Sequence, residues 1–169
     1  MGIVVLLCEK CVFSCLQLYL NDAEGSTQKR VTAKVQAKYP HSDIIFLRLD
    51  KTLKADAVPQ RDSTVYPGCP YILCGSFNRS HDKPYSISHG SISTTRSDSR
   101  GFIRGDTASN IGDSGGGCFS LDTGSLIAIN VGTDDKNLNR AMLVPVAQLD
   151  AFRAALPPEK PLASWPSCS

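Results

Sequence analysis

The sequence predicts an all-β chain with one helix near its C-terminal end. Three observations carry that reading. Short β-prone segments recur along most of the chain. Gly, Pro, Asn, Asp and Ser cluster between them. A single stretch has apolar residues at helical spacing.

Taken in order, Cys11 to Leu20 (CVFSCLQLYL) alternates and carries Val, Phe and Tyr, and the NDAEGS cluster after it reads as a turn. Val31 to Ala37 (VTAKVQA) alternates apolar and polar residues, as a half-buried strand does, and Pro40 breaks it. Ile44 to Leu49 (IIFLRL) reads as a buried strand starting just after Asp43. Tyr71 to Cys74 continues the β pattern. Ser86 to Thr94 (SISHGSIST) is β-prone with Gly90 at its centre, which predicts a bend or a close backbone approach. After a Gly-rich stretch from Gly101 to Gly117, Cys118–Leu121 and Leu126–Val131 read as a hairpin around Asp122-Thr123-Gly124. Ala141 to Val146 is the last expected strand. Gln148 to Leu156 places Leu149, Phe152 and Leu156 at helical spacing among good helix formers, and Pro157-Pro158 stops it. Residues 157–169 read as a loose tail.

Composition narrows the function. The chain has 169 residues, 18 Lys and Arg against 16 Asp and Glu, 41% apolar and 20% charged residues, which is globular composition. The near-balanced charge removes the electrostatic case for a nucleic-acid partner. No apolar run reaches the ~20 residues of a membrane-spanning helix. The N-terminal MGIVVLLCEKC is a short apolar run broken by Glu9 and Lys10, with no basic region before it and no clear small-residue cleavage site after it, so it fits a secretory signal poorly. That leans towards an intracellular chain.

Seven cysteines are present, at 8, 11, 15, 69, 74, 118 and 168, and an odd number cannot all pair within one chain. Cys69 and Cys74 sit on one apparent strand, roughly 16 Å apart if extended, too far for a disulfide. Reduced, buried thiols are the expectation. The early C-x2-C-x3-C spacing hints at metal, but no fourth ligand at matching spacing follows it.

Chemistry concentrates in Asp106 to Cys118, DTASNIGDSGGGC. Its Gly112-Asp113-Ser114-Gly115-Gly116 fits two nucleophile patterns. One is the elbow of α/β-hydrolases, which requires a following helix and a later His. Here β-like residues follow, and His41, His81 and His89 all precede Ser114. The other is a Gly-rich turn that aims backbone N–H groups at a developing oxyanion beside a serine nucleophile.

Asp106 to Gly116 resembles the nucleophile loop of the trypsin-like serine proteases, and within them the HtrA/Deg branch. Val31 to Asp50 is similar to that family's strand pair carrying the triad acid. Ser88–Ser93, Leu126–Asn130 (LIAIN) and the C-terminal AMLVPVAQLDAF also match its segments in order. The likeness covers about residues 12 to 156. It implies a trypsin-like double β-barrel with an incomplete N-terminal barrel, residues 1–156 forming one peptidase domain. It implies Ser114 as nucleophile, Asp43 as the acid that orients the base, and an oxyanion hole at Gly112, Asp113 and Ser114. It implies a specificity pocket near Ala108, walled by Ile129, Asn130 and Val131, that takes small or medium aliphatic side chains from a protein or peptide substrate. No metal or organic cofactor is implied.

One part of the pattern is missing. Counting back from Asp43 by the family's spacing lands near Cys8–Cys11, where the sequence reads Leu-Cys-Glu-Lys-Cys-Val without a His. Three readings follow: a chain lacking an upstream segment that holds the base, a pseudoprotease that binds peptides or proteins, or an enzyme with a substitute base such as Lys10. His41 is expected in an exposed loop, His81 in a solvated loop, and His89 packed in its strand. The expectation is a serine endopeptidase domain that by itself hydrolyses peptides barely.

Overall fold

The computed structural model describes residues 3–6, 15–21, 28–49, 58–75, 86–134 and 137–156. The chain divides into two compact units, Met1–Asp56 with Ala155–Ser169, and Ala57–Ala154. Residues 157–169, His81, Lys10, and Cys8, Cys11 and Cys168 lie outside the described residues.

The first unit holds β1 (Ile3–Leu6), β2 (Cys15–Asn21), β3 (Gln28–Tyr39) and β4 (Ile44–Leu49), with a single 3-10 turn at Pro40–Ser42. They form one antiparallel sheet in the order β1-β4-β3-β2. β4 lies inside the sheet, pairing with β1 (Val4↔Leu47) and β3 (Val35↔Leu47). That position suits its nearly continuous apolar run, in which Ile44, Ile45, Phe46, Leu47 and Leu49 are all buried. β3 keeps the predicted alternation at its start, with Val31 and Ala33 buried. It runs further than expected and is bulged between Val35 and Ala37. The apolar start of the chain, weighed as a possible leader, contributes β1 at the sheet edge.

The second unit is a closed barrel, β10-β7-β6-β5-β8-β9 in spatial order. Its strands are β5 (Pro70–Gly75), β6 (Ser86–Thr94), β7 (Ile103–Gly105), β8 (Gly117–Ser120), β9 (Leu126–Asp134) and β10 (Asn137–Pro145). Closure removes the unpaired strand edges that an open sheet exposes. Tyr71, Leu73, Ile92, Ile103, Cys118, Ile127, Ala141 and Leu143 fill the barrel. β8 and β9 form the hairpin predicted around Asp122-Thr123-Gly124, where Gly124 takes a φ of 70°. β7, three residues long, is too short to show a period in sequence and was hidden in the Gly-rich stretch.

The helix α1 spans Val146–Ala154, two residues earlier than its apolar spacing predicts. Pro145 ends β10 and leaves the helix free to begin at once. Val146 and Leu149 are buried, Phe152 is half-buried, and Leu156 falls past the helix end. The residue before a proline is disfavoured in helix, and Leu156 precedes Pro157. Among the described residues no helix is long and apolar enough to cross a membrane.

Candidate active site

The Gly-rich loop leaves β7 at Gly105 and enters β8 at Gly117. It begins pressed against β6. The Asp106 N–H donates to Ser91 O at 3.0 Å, and its carboxylate accepts the Ser91 N–H. Gly90 makes room, because a Cβ there would stand 2.7 Å from the Thr107 Cβ. The close approach predicted for Gly90 is therefore made by this loop. Ala108 follows and is exposed.

The turn carrying Ser114 is tied at both ends. Asn110 and Asp113 bond reciprocally: the Asp113 N–H donates to Asn110 O at 3.0 Å, and the Asn110 N–H donates to Asp113 Oδ2 at 2.9 Å. Ile111 stands at the tip, 98% exposed. Gly112 has φ 104° and Gly115 φ 87°, conformations that a side chain would strain. Gly116 passes under β5, where a Cβ would meet Cys74 O at 2.6 Å.

β9 clamps this turn from below through Asn130. Its Nδ2 donates to Asp113 O at 2.9 Å and to Ser109 Oγ at 2.8 Å. Its N–H donates to Gly116 O, and its carbonyl accepts the Gly115 N–H, both at 2.8 Å. Thr133 adds a bond from Oγ1 to Ser109 O at 2.6 Å. Asn130, expected to wall a pocket, thus spends its backbone and its amide on the loop itself. Ile129 is buried beside it.

These bonds set the direction of one N–H. The Asp113 carbonyl is engaged by the Gly116 N–H and by Asn130 Nδ2. In a trans peptide the N–H points opposite to the C=O, so the Ser114 N–H is turned away from the clamp. Among the described residues no carbonyl accepts from the N–H of Gly112 or Ser114. The Ser114 hydroxyl itself donates to Val131 O at 2.6 Å. Asp113 is 1% exposed, with Oδ1 accepting the Ser86 hydroxyl at 2.9 Å. A buried carboxylate is tolerated only with such donors.

Ser114, Gly112, Asp113, Asn130 and Val131 are therefore brought together in the second unit. Asp43 belongs to the first. It follows the 3-10 turn in the left-handed region (φ 50°, ψ 37°), and its N–H donates to Pro40 O at 3.1 Å. Asp tolerates that conformation better than most residues. His41 lies in the same turn and is exposed as expected. His89 corrects its expectation: it is exposed, not packed. Period-two alternation puts it with Ile87, also exposed, on the outer face of β6. Among the described residues no cluster of His, Cys, Asp and Glu could hold a metal ion.

Sequence reasoning missed Ser86, Gly75, Ser109 and Thr133 as parts of this arrangement. Serine, threonine and glycine carry no local signal of a long-range partner.

Comparison with known proteins adds to the geometry. The sequence pattern of the trypsin-like peptidase domain matches residues 6–129. No curated protein matches the chain. Among solved structures, the serine endoprotease from Yersinia pestis is similar, with a TM-score of 0.70 and 17% sequence identity, over 91% of this chain and 53% of that one. The chain thus spans about half the length of that structure, and at this identity the likeness is one of fold.

Proposed function

The chain belongs to the trypsin-like peptidase domain family, and we propose on that premise that it carries the nucleophile side of a serine endopeptidase site acting on proteins or peptides. Ser114 is the nucleophile. The N–H groups of Gly112 and Ser114, held in the turn that Asp113 braces, receive the oxyanion of the tetrahedral intermediate. Asp43 is the acid that orients the base. Ala108, Ile129 and Val131 bound the approach to a pocket for a small or medium aliphatic side chain, because no carboxylate stands at Ala108 to attract Lys or Arg.

The observation that carries this reading is the direction of the Ser114 N–H. Its peptide plane is fixed by the bonds that Gly116 and Asn130 donate to the Asp113 carbonyl, which turns the N–H away from both. An N–H left outside the turn's own bonding is available to an oxyanion formed at the serine.

The Ser114 hydroxyl donates its hydrogen bond to a carbonyl, which cannot take up the proton as imidazole does. Loss of a triad histidine costs on the order of 10⁶ in turnover, and an oxyanion hole with binding retains about 10³–10⁴ over water. Peptide hydrolysis by this chain by itself is therefore slow.

That same bond supports a second reading, a peptide-binding module that does not turn over its ligand. Incubation with a fluorophosphonate probe, wild type against Ser114→Ala, separates the two when run beside a binding titration with an unstructured peptide. Labelling at Ser114 that the variant loses supports the peptidase reading. Binding without labelling or cleavage supports the module. Neither binding nor labelling sinks both.

A further inference from the structure

Ser114 sits in a turn whose geometry passes through Asp113, and Asp113 reaches back into the barrel. Gly75 and Ser86 are register partners on the last rung between β5 and β6. Both serve the same carboxylate oxygen. The Ser86 hydroxyl donates to Asp113 Oδ1 at 2.9 Å. A Cβ on Gly75 would stand 2.1 Å from that Oδ1. One partner supplies a donor, and the other supplies the space the carboxylate occupies.

We propose that this rung is a slot that positions the nucleophile turn, with Ser86 as a positioning residue acting through Asp113. The chain of cause is short. The rung belongs to a closed barrel and follows directly on the Cys74↔Ile87 pair of β5 and β6. Ser86 fixes one carboxylate oxygen, and the other accepts the Asn110 N–H at 2.9 Å, which closes the turn across Ile111 and Gly112. The Asp113 carbonyl, bonded to Gly116 and Asn130, then sets the peptide plane whose N–H belongs to Ser114. Rotation of the Asp113 side chain out of the slot would leave a carboxylate 1% exposed without the Ser86 donor. The slot thus couples a barrel side chain to the direction of a backbone donor on the neighbouring loop. Its importance for catalysis rests on the peptidase reading above, whereas its effect on the turn does not.

The test uses the full chain and three forms: wild type, Ser86→Ala and Ser86→Thr. Threonine keeps the hydroxyl and suits a strand. Backbone amide exchange is followed by mass spectrometry over residues 109–117 and over β5 and β6, beside thermal melting. The expected result is exchange in 109–117 that rises about tenfold or more in Ser86→Ala, since a hydrogen bond to a charged group is lost. Exchange in β5 and β6 stays near wild type, and Ser86→Thr returns the loop to its original protection. Unchanged exchange in 109–117, an equal rise throughout the barrel, or failure of threonine to rescue would each overturn the proposal. Fluorophosphonate labelling of the same three proteins reports on the function separately. A rate that falls with alanine and recovers with threonine extends the slot to catalysis. Absence of labelling in wild type removes the peptidase reading while the exchange result still decides the slot.

Discussion

The hydroxyl of Ser114 and the carbonyl of Val131 are joined by a hydrogen bond of 2.6 Å, reaching from the glycine-rich turn to β9. The bond holds the serine in one rotamer and occupies an acceptor on the strand along which an extended peptide would lie. A carbonyl oxygen can accept two bonds, as that of Asp113 does, so the two donors compete where a peptide N–H approaches along the direction the hydroxyl already holds. A peptide that bonds to the Val131 carbonyl from that side must displace the serine. Ser114→Ala should tighten binding of a fluorescein-labelled Ala-Ala-Val-Ala peptide by about 2- to 10-fold, the range of one neutral hydrogen bond. Fluorescence anisotropy checks this, and equal affinity in the two proteins contradicts the competition.

Tyr71 and Gly105 form a second tight relationship, inside the barrel. Tyr71 is fully buried, and a Cβ added at Gly105 would lie 2.0 Å from its hydroxyl oxygen and 2.9 Å from the ring carbon that bears it. Gly105→Ala should cost about 1–3 kcal/mol by overpacking. Adding Tyr71→Phe removes the nearest atom and should recover part of that loss, though not all, since the ring carbon remains close. Urea midpoints of the two single variants and the double variant measure the coupling. Strict additivity would show that the two sites do not press on each other.

Asp98 and Arg104 join the turn after β6 to β9. Arg104 donates from one terminal nitrogen to Asp98 Oδ2 at 2.8 Å and from Nε to Asp134 Oδ2 at 3.1 Å. The N–H groups of Arg100 and Phe102 bond Asp98 Oδ1 at 2.9 and 3.0 Å. Burial alone would raise the Asp98 pKa, but the Arg104 bond and the two backbone donors together hold it below the usual carboxylate range. A depressed folded-state pKa gives stability that is present above the unfolded value, near pH 4, and is lost as pH falls through the folded value. Asp98→Asn should therefore melt below wild type at pH 7, and the gap should narrow on acidification below about pH 4. Thermal melts across pH 2 to 7 test this. A gap that stays constant over that range assigns the effect to something other than the Asp98 charge.

The cysteines give a chemical test of burial. Cys69, Cys74 and Cys118 are free thiols, with Cys69 and Cys118 buried and Cys74 half-buried. Burial pushes the Cys118 thiol far above its ordinary range and raises Cys74 in the same direction. Iodoacetamide at pH 8 should leave Cys118 unmodified in the folded protein and alkylate it after denaturation. Cys74 should react in the folded protein more slowly than in the unfolded chain. Mass spectrometry of peptides after timed quenching reads both, and prompt folded-state modification of Cys118 would contradict its burial.

Most strands were legible because their signals are local. Ile44–Leu49 is a nearly continuous apolar run and Ser86–Thr94 a β-prone stretch, and each coincides with an observed strand. Asp122-Thr123-Gly124 carries its turn in its own residue types. The family was legible in DTASNIGDSGG because that stretch resembles the serine loop of trypsin-like proteases, and its Gly112 and Gly115 do take positive φ. The misses have physical reasons. β7 is three residues long. His89 was expected to pack, but the alternation of its strand turns it outward.

By itself, then, the sequence determined the all-β class, the position of most elements and the glycine-rich turn around Ser114, all of which depend on neighbours along the chain. Only the tertiary structure decided what that turn leans on. Val131 lies 17 residues from Ser114, Asn130 lies 17 from Asp113, and Ser86 lies 27 from Asp113. Barrel closure brings them within hydrogen-bond distance. Partners this far apart meet through strand pairing and packing, which no local spacing encodes, so the direction of the Ser114 N–H and the placing of its hydroxyl are properties of the folded barrel.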